Sequence, residues 1–185
     1  RKKAWKQLEA NGFNTKLTGR KGNEITSGED YEICYALRLA GWKLWYCDEL
    51  ILYHYIPKER MKIHYLFLLQ KGFGKQTTKH DPYVFYVLHS SSDVKTFFGK
   101  IWLRQLLRET YIAIFRSRSI WWSMVIQPKN RLNTRMEWIF QRGRIEALWF
   151  ERKNYDKEVT QFKAHKWIKI SQRQANLLYK TLTDV

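Results

Sequence analysis

The sequence predicts an α/β part over residues 1–75, followed by a mainly α-helical, basic and aromatic-rich extension over residues 76–185. Three observations lead to this prediction. In the first part, a helix with a clear start and stop precedes two short apolar segments of strand character. In the second part, apolar residues recur at helical spacing. The charge divides as well: residues 1–60 hold 11 basic and 8 acidic side chains, a net +3, whereas residues 61–185 hold 23 and 9, a net +14.

The amino-acid composition limits the kinds of protein that this chain can be. A chain of 185 residues that is 44% hydrophobic and 16% aromatic can bury a core, which excludes a disordered basic tail. The net charge of +17 indicates an anionic partner: lipid headgroups, nucleic acid or a phosphorylated substrate. Cys34 and Cys47 make neither a disulfide framework nor a zinc site and fit a reducing compartment. Without an initiator Met or a signal peptide, we expect a piece of a longer protein.

The first elements are two helices joined by a loop. Residues 2–10 predict a short helix, and residues 11–28 a loop rich in Gly and turn formers. A second helix is expected to begin near Ser27, which can cap it, and to end at Gly41. Its apolar face follows the i, i+3, i+4, i+7 rule, through Ile33, Ala36, Leu37 and Ala40.

Two strands and a third helix are predicted next. Residues 43–47 and 50–55 have strand character and are separated by Asp48-Glu49. A helix over residues 58–71 is expected to end at Gly72-Phe73-Gly74. A helical pattern continues over residues 97–115, and an apolar run over residues 120–126 is broken by Pro128. A further basic helix is predicted over residues 131–150, interrupted at Gly143.

The basic extension has three possible roles. In the first, its helices pack their aromatic residues on the first part and keep Lys and Arg solvated. Alternatively they form a platform for an anionic membrane surface, since basic amphipathic helices with Trp and Phe lie among lipid headgroups. The platform residues are Lys100, Arg104, Arg108, Trp121 and Trp122. Binding of single-stranded nucleic acid is the third role and the least supported, because no RRM, KH or zinc-finger signature is present.

Glu29 and Asp30 have two alternative roles, one structural and one catalytic. Acidic residues at a helix N-terminus are favoured by the helix dipole, so both can serve only to stabilise the helix. The same dipole stabilises an ionised carboxylate, which suits a general base. Helical spacing places both side chains near the apolar face and does not choose between them.

A longer ordered set of residues resembles a known family. In sequence order the set is Gly12-Phe13, Glu29-Asp30, Glu32, Arg38, Gly41, Tyr46 and His54. It resembles the second half of the catalytic domain of family 2 glycosyltransferases, over roughly residues 4–75. The resemblance implies the C-terminal portion of a GT-A-like nucleotide-sugar transferase domain. It also implies transfer of a sugar, with inversion, from a nucleotide-sugar donor to a sugar or lipid-linked hydroxyl acceptor.

The resemblance also implies roles for individual residues. Asp30 would be the base that deprotonates the acceptor hydroxyl, and Glu29 would orient it or bind the acceptor. Glu32 and Trp42 would contribute to acceptor binding, although a Trp at this position more often simply packs. His54 would lie near a divalent cation, Mg²⁺ or Mn²⁺; the alternative is a half-buried His that ends a strand.

The sequence departs from the family pattern at the donor site. The Asp-x-Asp pair that would hold the cation is missing. Asp48-Glu49 is no substitute, because it lies downstream of the expected position, in a turn between the two predicted strands. No Gly-rich phosphate-binding motif is present either. We therefore expect this chain to be inactive alone. The expected setting is the cytoplasmic face of a bacterial membrane, with peripheral attachment and a role in envelope polysaccharide or glycolipid synthesis.

Overall fold

The computed structural model describes residues 2–17, 28–88, 95–126, 131–175 and 177. Side chains are described at the same positions except 116–117, 119–126 and 131. The α-helices of these ranges include α1 (Lys2–Ala10), α2 (Glu29–Leu39), α3 (Ile63–Leu88), α4 (Ile101–Ile126), α5 (Arg131–Glu151) and α6 (Tyr155–Gln161). Short 3₁₀ turns lie at Lys58–Met61 and Phe162–Ala164.

The described part of the chain is all-α, so the predicted α/β fold with a GT-A-like portion is wrong. Residues 43–47 and 50–55 form no strand, and residues 48–49 only make a turn. Their side chains are exposed, Trp45, Tyr46 and Tyr53 most of all. A strand is stable only when its backbone groups pair with another strand and one face packs on a core, and two short strands alone are marginal. The described residues offer these segments neither partner nor core.

Three long helices form the main body. Arg135 lies 4.7 Å from the ring centre of Phe67, and Lys79 pairs with Glu151 at 3.0 Å, so α3 and α5 run parallel. The rings of Trp102 and Trp149 are 6.3 Å apart, which places the start of α4 beside the end of α5. Helix α4 is therefore antiparallel to the other two. The boundary placed after residue 75 falls inside α3.

Two glycines set the spacing of α3 and α5. A side chain on Gly74 would overlap the Phe140 carbonyl oxygen, and one on Gly143 would overlap the carbonyl oxygen of Lys71. The sequence predicts that helices stop at Gly72–Gly74 and break at Gly143; instead both helices continue. Because each glycine lets the partner backbone approach closely, the packing gained across the crossing outweighs the low helix propensity of Gly, about 1 kcal/mol per residue.

A smaller layer packs on the C-terminal half of α3. Its core joins α1, α2 and residues 162–175, through Leu8, Phe13, Leu39, Tyr83, Phe162 and Trp167. The aromatic rings meet mostly edge to face; Phe13 and Trp167 are 5.3 Å apart and Tyr83 and Phe162 are 4.6 Å apart. The Leu39 carbonyl accepts hydrogen bonds from the backbone N–H groups of Lys169 and Ile170. This layer holds α2 against α3 and so fixes the start of α2.

Candidate functional site

The start of α2 carries the two carboxylates that the sequence singles out. Gly28 adopts a left-handed conformation, with φ of 105°, and its carbonyl accepts the first helical bond from Glu32 N–H at 3.1 Å. No side chain caps this end within the described part of the chain, and the predicted cap, Ser27, lies outside it. Helix α2 begins where the sequence predicts, but the conformation of Gly28 marks its start.

Two polar side chains of α3, Gln76 and His80, lie one helical turn apart and pack against this turn. His80 Nε2 donates a hydrogen bond to the Gly28 carbonyl at 3.1 Å. A side chain at Gly28 would overlap Gln76 Oε1 and approach His80 Cε1 to 3.2 Å. Gly28 is thus required for its conformation and for the space it leaves. No local signal pointed to Gln76 or His80, because they lie about 50 residues away along the chain.

The side-chain amide of Gln76, beside this turn, is not fully hydrogen-bonded by the described residues. Its side chain is buried, yet its Nε2 has no hydrogen-bond partner among the described residues. Most buried polar groups in proteins are hydrogen-bonded, and each exception calls for an explanation. The oxygen of this amide, Oε1, faces Gly28, the residue directly before Glu29.

Glu29 and Asp30 are both exposed on the first turn of α2. The described residues give neither carboxylate a hydrogen bond or an ion pair. The ring of Tyr31, the next residue of the same turn, lies 6.3 Å from the ring of His80. Two adjacent, accessible carboxylates at a fixed helix start can accept a proton from a bound hydroxyl, provided that the hydroxyl comes within hydrogen-bond reach.

Glu32, the third acidic residue of this turn, is completely buried. Its carboxylate accepts hydrogen bonds from the N–H groups of Lys16 and Leu17, at 3.0–3.1 Å, and from the hydroxyl of Tyr83 at 2.9 Å. Burial raises the pKa of the Tyr83 hydroxyl above its ordinary value, and the nearby charge of Glu32 adds to the effect. Because Lys16, Leu17 and Tyr83 supply these hydrogen bonds, Glu32 connects residues 16–17 and α3 to α2. Its predicted part in acceptor binding stays a prediction.

Trp42 and His54 lie away from this turn. Trp42 is half-buried and packs against the core that includes Leu39 and Trp167. His54 is exposed within the irregular segment 42–57. Over the ranges described, no three His, Cys, Asp or Glu residues come together in a way that could hold a metal ion. The predicted roles of Trp42 in acceptor binding and of His54 near a metal stay predictions.

The predicted membrane residues are distributed along α4. Arg108 is exposed and Arg104 half-exposed, while Lys100 comes directly before the helix. Trp121 and Trp122 belong to α4, but their side chains lie outside the described residues. The exposed face of α4 also carries large apolar side chains at helical spacing, namely Leu107, Tyr111, Ile114 and Phe115. Its opposite face, with Ile101, Gln105 and Glu109, is buried.

A buried ionic cluster in the long-helix bundle was not anticipated from the sequence. Arg144 of α5 donates to both carboxylate oxygens of Asp81, at 3.0 and 3.1 Å, and to Glu109 at 3.0 Å. The Tyr155 hydroxyl donates a short hydrogen bond to Asp81. Burial raises the pKa of Asp81, mainly because an ionised carboxylate is poorly solvated there. The only available signal was a charged residue on an otherwise apolar helical face, as Glu109 is on α4.

Comparisons with known proteins identify no family for this chain. No protein-family model, no curated protein and no solved structure matches it. Functional inference therefore depends on the residues at the start of α2, on the exposed surfaces and on the family resemblance. None of the described helices combines the length and the apolar character needed to cross a membrane.

Proposed function

We propose that this chain provides the acceptor side and the catalytic base of an inverting glycosyl transfer. The observation that carries the proposal is the pair Glu29-Asp30, exposed on a helix start that is held by Gly28, Gln76 and His80. The order of motifs around this pair resembles that of family 2 glycosyltransferases. The activity is proposed independently of the GT-A fold, which the all-α structure does not support.

In the proposed reaction Asp30 acts as the general base. Its carboxylate takes the proton of the acceptor hydroxyl while that oxygen forms a bond to the anomeric carbon of the donor sugar. The bond from that carbon to the nucleoside diphosphate breaks, and the diphosphate leaves with the electron pair. Attack opposite to the leaving group inverts the anomeric carbon. Glu29 binds or orients the acceptor.

The donor site belongs elsewhere in this proposal. A divalent cation, Mg²⁺ or Mn²⁺, would neutralise the donor diphosphate, but the described residues contain no set that fits such an ion. The proposal therefore places the ligands of the cation outside the described residues and, because the sequence has no Asp-x-Asp pair, in another part of the complete enzyme. Calorimetry with UDP- or GDP-sugars and Mn²⁺ tests this assignment. We expect no binding by this chain alone, and micromolar binding would contradict the assignment.

Substitution of the two carboxylates tests the catalytic proposal in the complete protein. Asp30→Asn should lower turnover by about 10²- to 10⁴-fold, the usual contribution of a general base. Glu29→Gln should have a smaller effect. Glu49→Gln, which removes an exposed carboxylate in segment 42–57, is the matched control and should leave turnover unchanged. If Asp30 only stabilises the helix, turnover stays near wild type and the free energy of unfolding falls by up to about 1 kcal/mol.

Binding to an anionic membrane is a second proposal, supported by the exposed face of α4. There Arg104, Arg108 and Arg118 alternate with Leu107, Tyr111 and Phe115. Basic and apolar side chains on one face suit the headgroup region of a bilayer. Vesicle flotation with and without anionic lipid tests this proposal, and no binding at low salt would refute it. A mobility shift with single-stranded RNA or DNA that weakens steeply with salt would favour nucleic acid instead.

A further inference from the structure

A tight turn directly before α4 presents an aromatic side chain to solvent. The backbone N–H groups of Phe97 and Lys100 each donate to the other residue's carbonyl, at 3.1 and 3.0 Å, which closes a two-residue turn. Its central residues, Phe98 and Gly99, have φ of 50° and 69°, as a type I′ turn requires. The first central position normally takes Asn, Asp or Gly, and a bulky residue there is strained. Phe98 is nevertheless 85% exposed, and its ring meets that of the neighbouring Phe97 edge to face at 4.6 Å, so it is not buried in the core.

A second aromatic group lies at the same end of the bundle. Helix α5 ends at Glu151 beside the start of α4, as the contact between Trp102 and Trp149 shows. In the last turn of α5, Phe150 is 85% exposed and Trp149 is also largely exposed. We call the surface formed by Phe98, Trp149 and Phe150, with the basic residues around them, the bundle tip.

Basic side chains surround these rings. Lys95, Lys100 and Lys153 are exposed at the bundle tip. Arg152 lies 4.5 Å from the ring centre of Trp149 and donates to the carbonyl oxygen of the same residue at 2.6 Å, so its cation is held beside the aromatic surface.

The neighbouring described acids are already engaged. Asp156 accepts hydrogen bonds from the N–H groups of Ile101 and Trp102, at 3.2 and 2.8 Å, and so caps α4. Glu151 pairs with Lys79 at 3.0 Å. The four cations of Lys95, Lys100, Arg152 and Lys153 outnumber the one carboxylate without a cationic partner, Asp156, so the charge presented around Phe98 and Phe150 by the described residues is positive.

We infer that the bundle tip inserts Phe98 and Phe150 into an anionic lipid bilayer, with the surrounding lysines and Arg152 at the phosphate level. Two observations favour lipid over other partners. Exposed aromatic rings within a basic rim match the layered polarity of a bilayer interface, apolar inside and anionic outside. The strained turn also keeps Phe98 outside the protein core. This inference rests on the proposed membrane binding and names the surface that carries it.

Vesicle flotation with matched variants tests the inference. The probes are vesicles of phosphatidylcholine alone and vesicles with about one-third phosphatidylglycerol, a composition that raises the negative surface potential. Phe98→Asn and Phe150→Ser should each lower the partition coefficient for anionic vesicles by about tenfold, as expected when a large apolar side chain no longer leaves water. Trp45→Ala, at another 85% exposed aromatic residue, is the control and should leave binding unchanged.

The Phe98→Asn variant also separates lipid binding from folding. Asn-Gly is the favoured pair of a type I′ turn, so this variant should unfold at a temperature equal to or above that of the wild type. Loss of vesicle binding by a protein that is at least as stable would support insertion of Phe98. Loss of binding together with a lower unfolding temperature would contradict the assignment of residues 97–100 as a type I′ turn and, with it, the inference.

The remaining outcomes distinguish this inference from the broader proposal. If Tyr111→Ser with Phe115→Ser abolishes binding while the variants of the bundle tip bind normally, the exposed face of α4 is the membrane surface and the inference is wrong. If the wild type binds neither kind of vesicle at low salt, both proposals fail. Equal binding to neutral and anionic vesicles would overturn the role of the basic rim.

Discussion

Two pairs of carboxylates in this molecule have opposite surroundings. Asp81 and Glu109 are buried in the long-helix bundle, where Arg144 pairs with both and Tyr155 donates to Asp81. Glu29 and Asp30, on the first turn of α2, are exposed and have no partner among the described residues. A buried carboxylate needs counter-ions and donors to offset the loss of hydration, and these occupy its oxygens. An exposed carboxylate on a rigid turn keeps its oxygens available for a substrate.

The comparison shows why acidic residues alone do not locate a catalytic site. Glu32 belongs to the same helical turn as Glu29 and Asp30, yet it resembles the buried pair, since Lys16, Leu17 and Tyr83 satisfy its carboxylate. Within one turn of α2, one carboxylate is structural and two are available for chemistry. The three predictions below test this division.

The largest effect on stability is expected for Arg144→Met. The substitution leaves Asp81 and Glu109 buried without their shared cation, and breaking a buried ionic pair in this way costs about 3–5 kcal/mol. Urea unfolding followed by circular dichroism measures the change. Arg142→Met is the matched control on the same helix, because Arg142 is exposed and its partners, Glu146 and the ring of Trp138, are surface contacts. A difference below about 1 kcal/mol between the two variants would show that the cluster contributes little.

A smaller loss is expected for Glu32→Gln. The amide oxygen can still accept hydrogen bonds, but its NH₂ group then faces donors from residues 16–17 or from Tyr83. One buried donor is left unsatisfied, which should lower the free energy of unfolding by about 1–3 kcal/mol. Glu29→Gln, the same change on the exposed side of the turn, should stay within about 0.5 kcal/mol of wild type. Similar losses for both variants would remove the distinction between these residues.

The smallest effect is a dependence on pH that originates from Asp81. Because burial raises its pKa in the folded state above the ordinary 3.8, folded Asp81 holds its proton to higher pH than unfolded Asp81. Its contribution to stability is complete below about pH 3.8, the unfolded value, and is lost as the pH rises through the folded pKa. The stability of wild type relative to Asp81→Asn should therefore fall across that range. A difference that increases with pH would show that the folded pKa is lowered instead.

Local sequence signals predicted the isolated helices well. Helix α1 and the limits of α2 are confirmed, because a polar first turn, an apolar stripe and a following Gly act over only a few residues. Signals that depend on distant partners failed. The predicted strands found no neighbouring strand, and Gly74 and Gly143 are contact points between helices rather than helix ends.

The sequence by itself determined the carboxylates at the start of α2, the basic character of the second part and most of the helical segments, since these depend on neighbouring residues and on composition. Only the tertiary structure decided which acids are buried, which glycines let two helices approach, and which aromatic rings remain outside the core. Each of these outcomes depends on contacts between residues far apart in sequence, such as Glu32 with Tyr83 and Asp81 with Arg144. Burial follows from those contacts, and it decides whether a carboxylate is occupied by donors of the protein or remains available to a substrate.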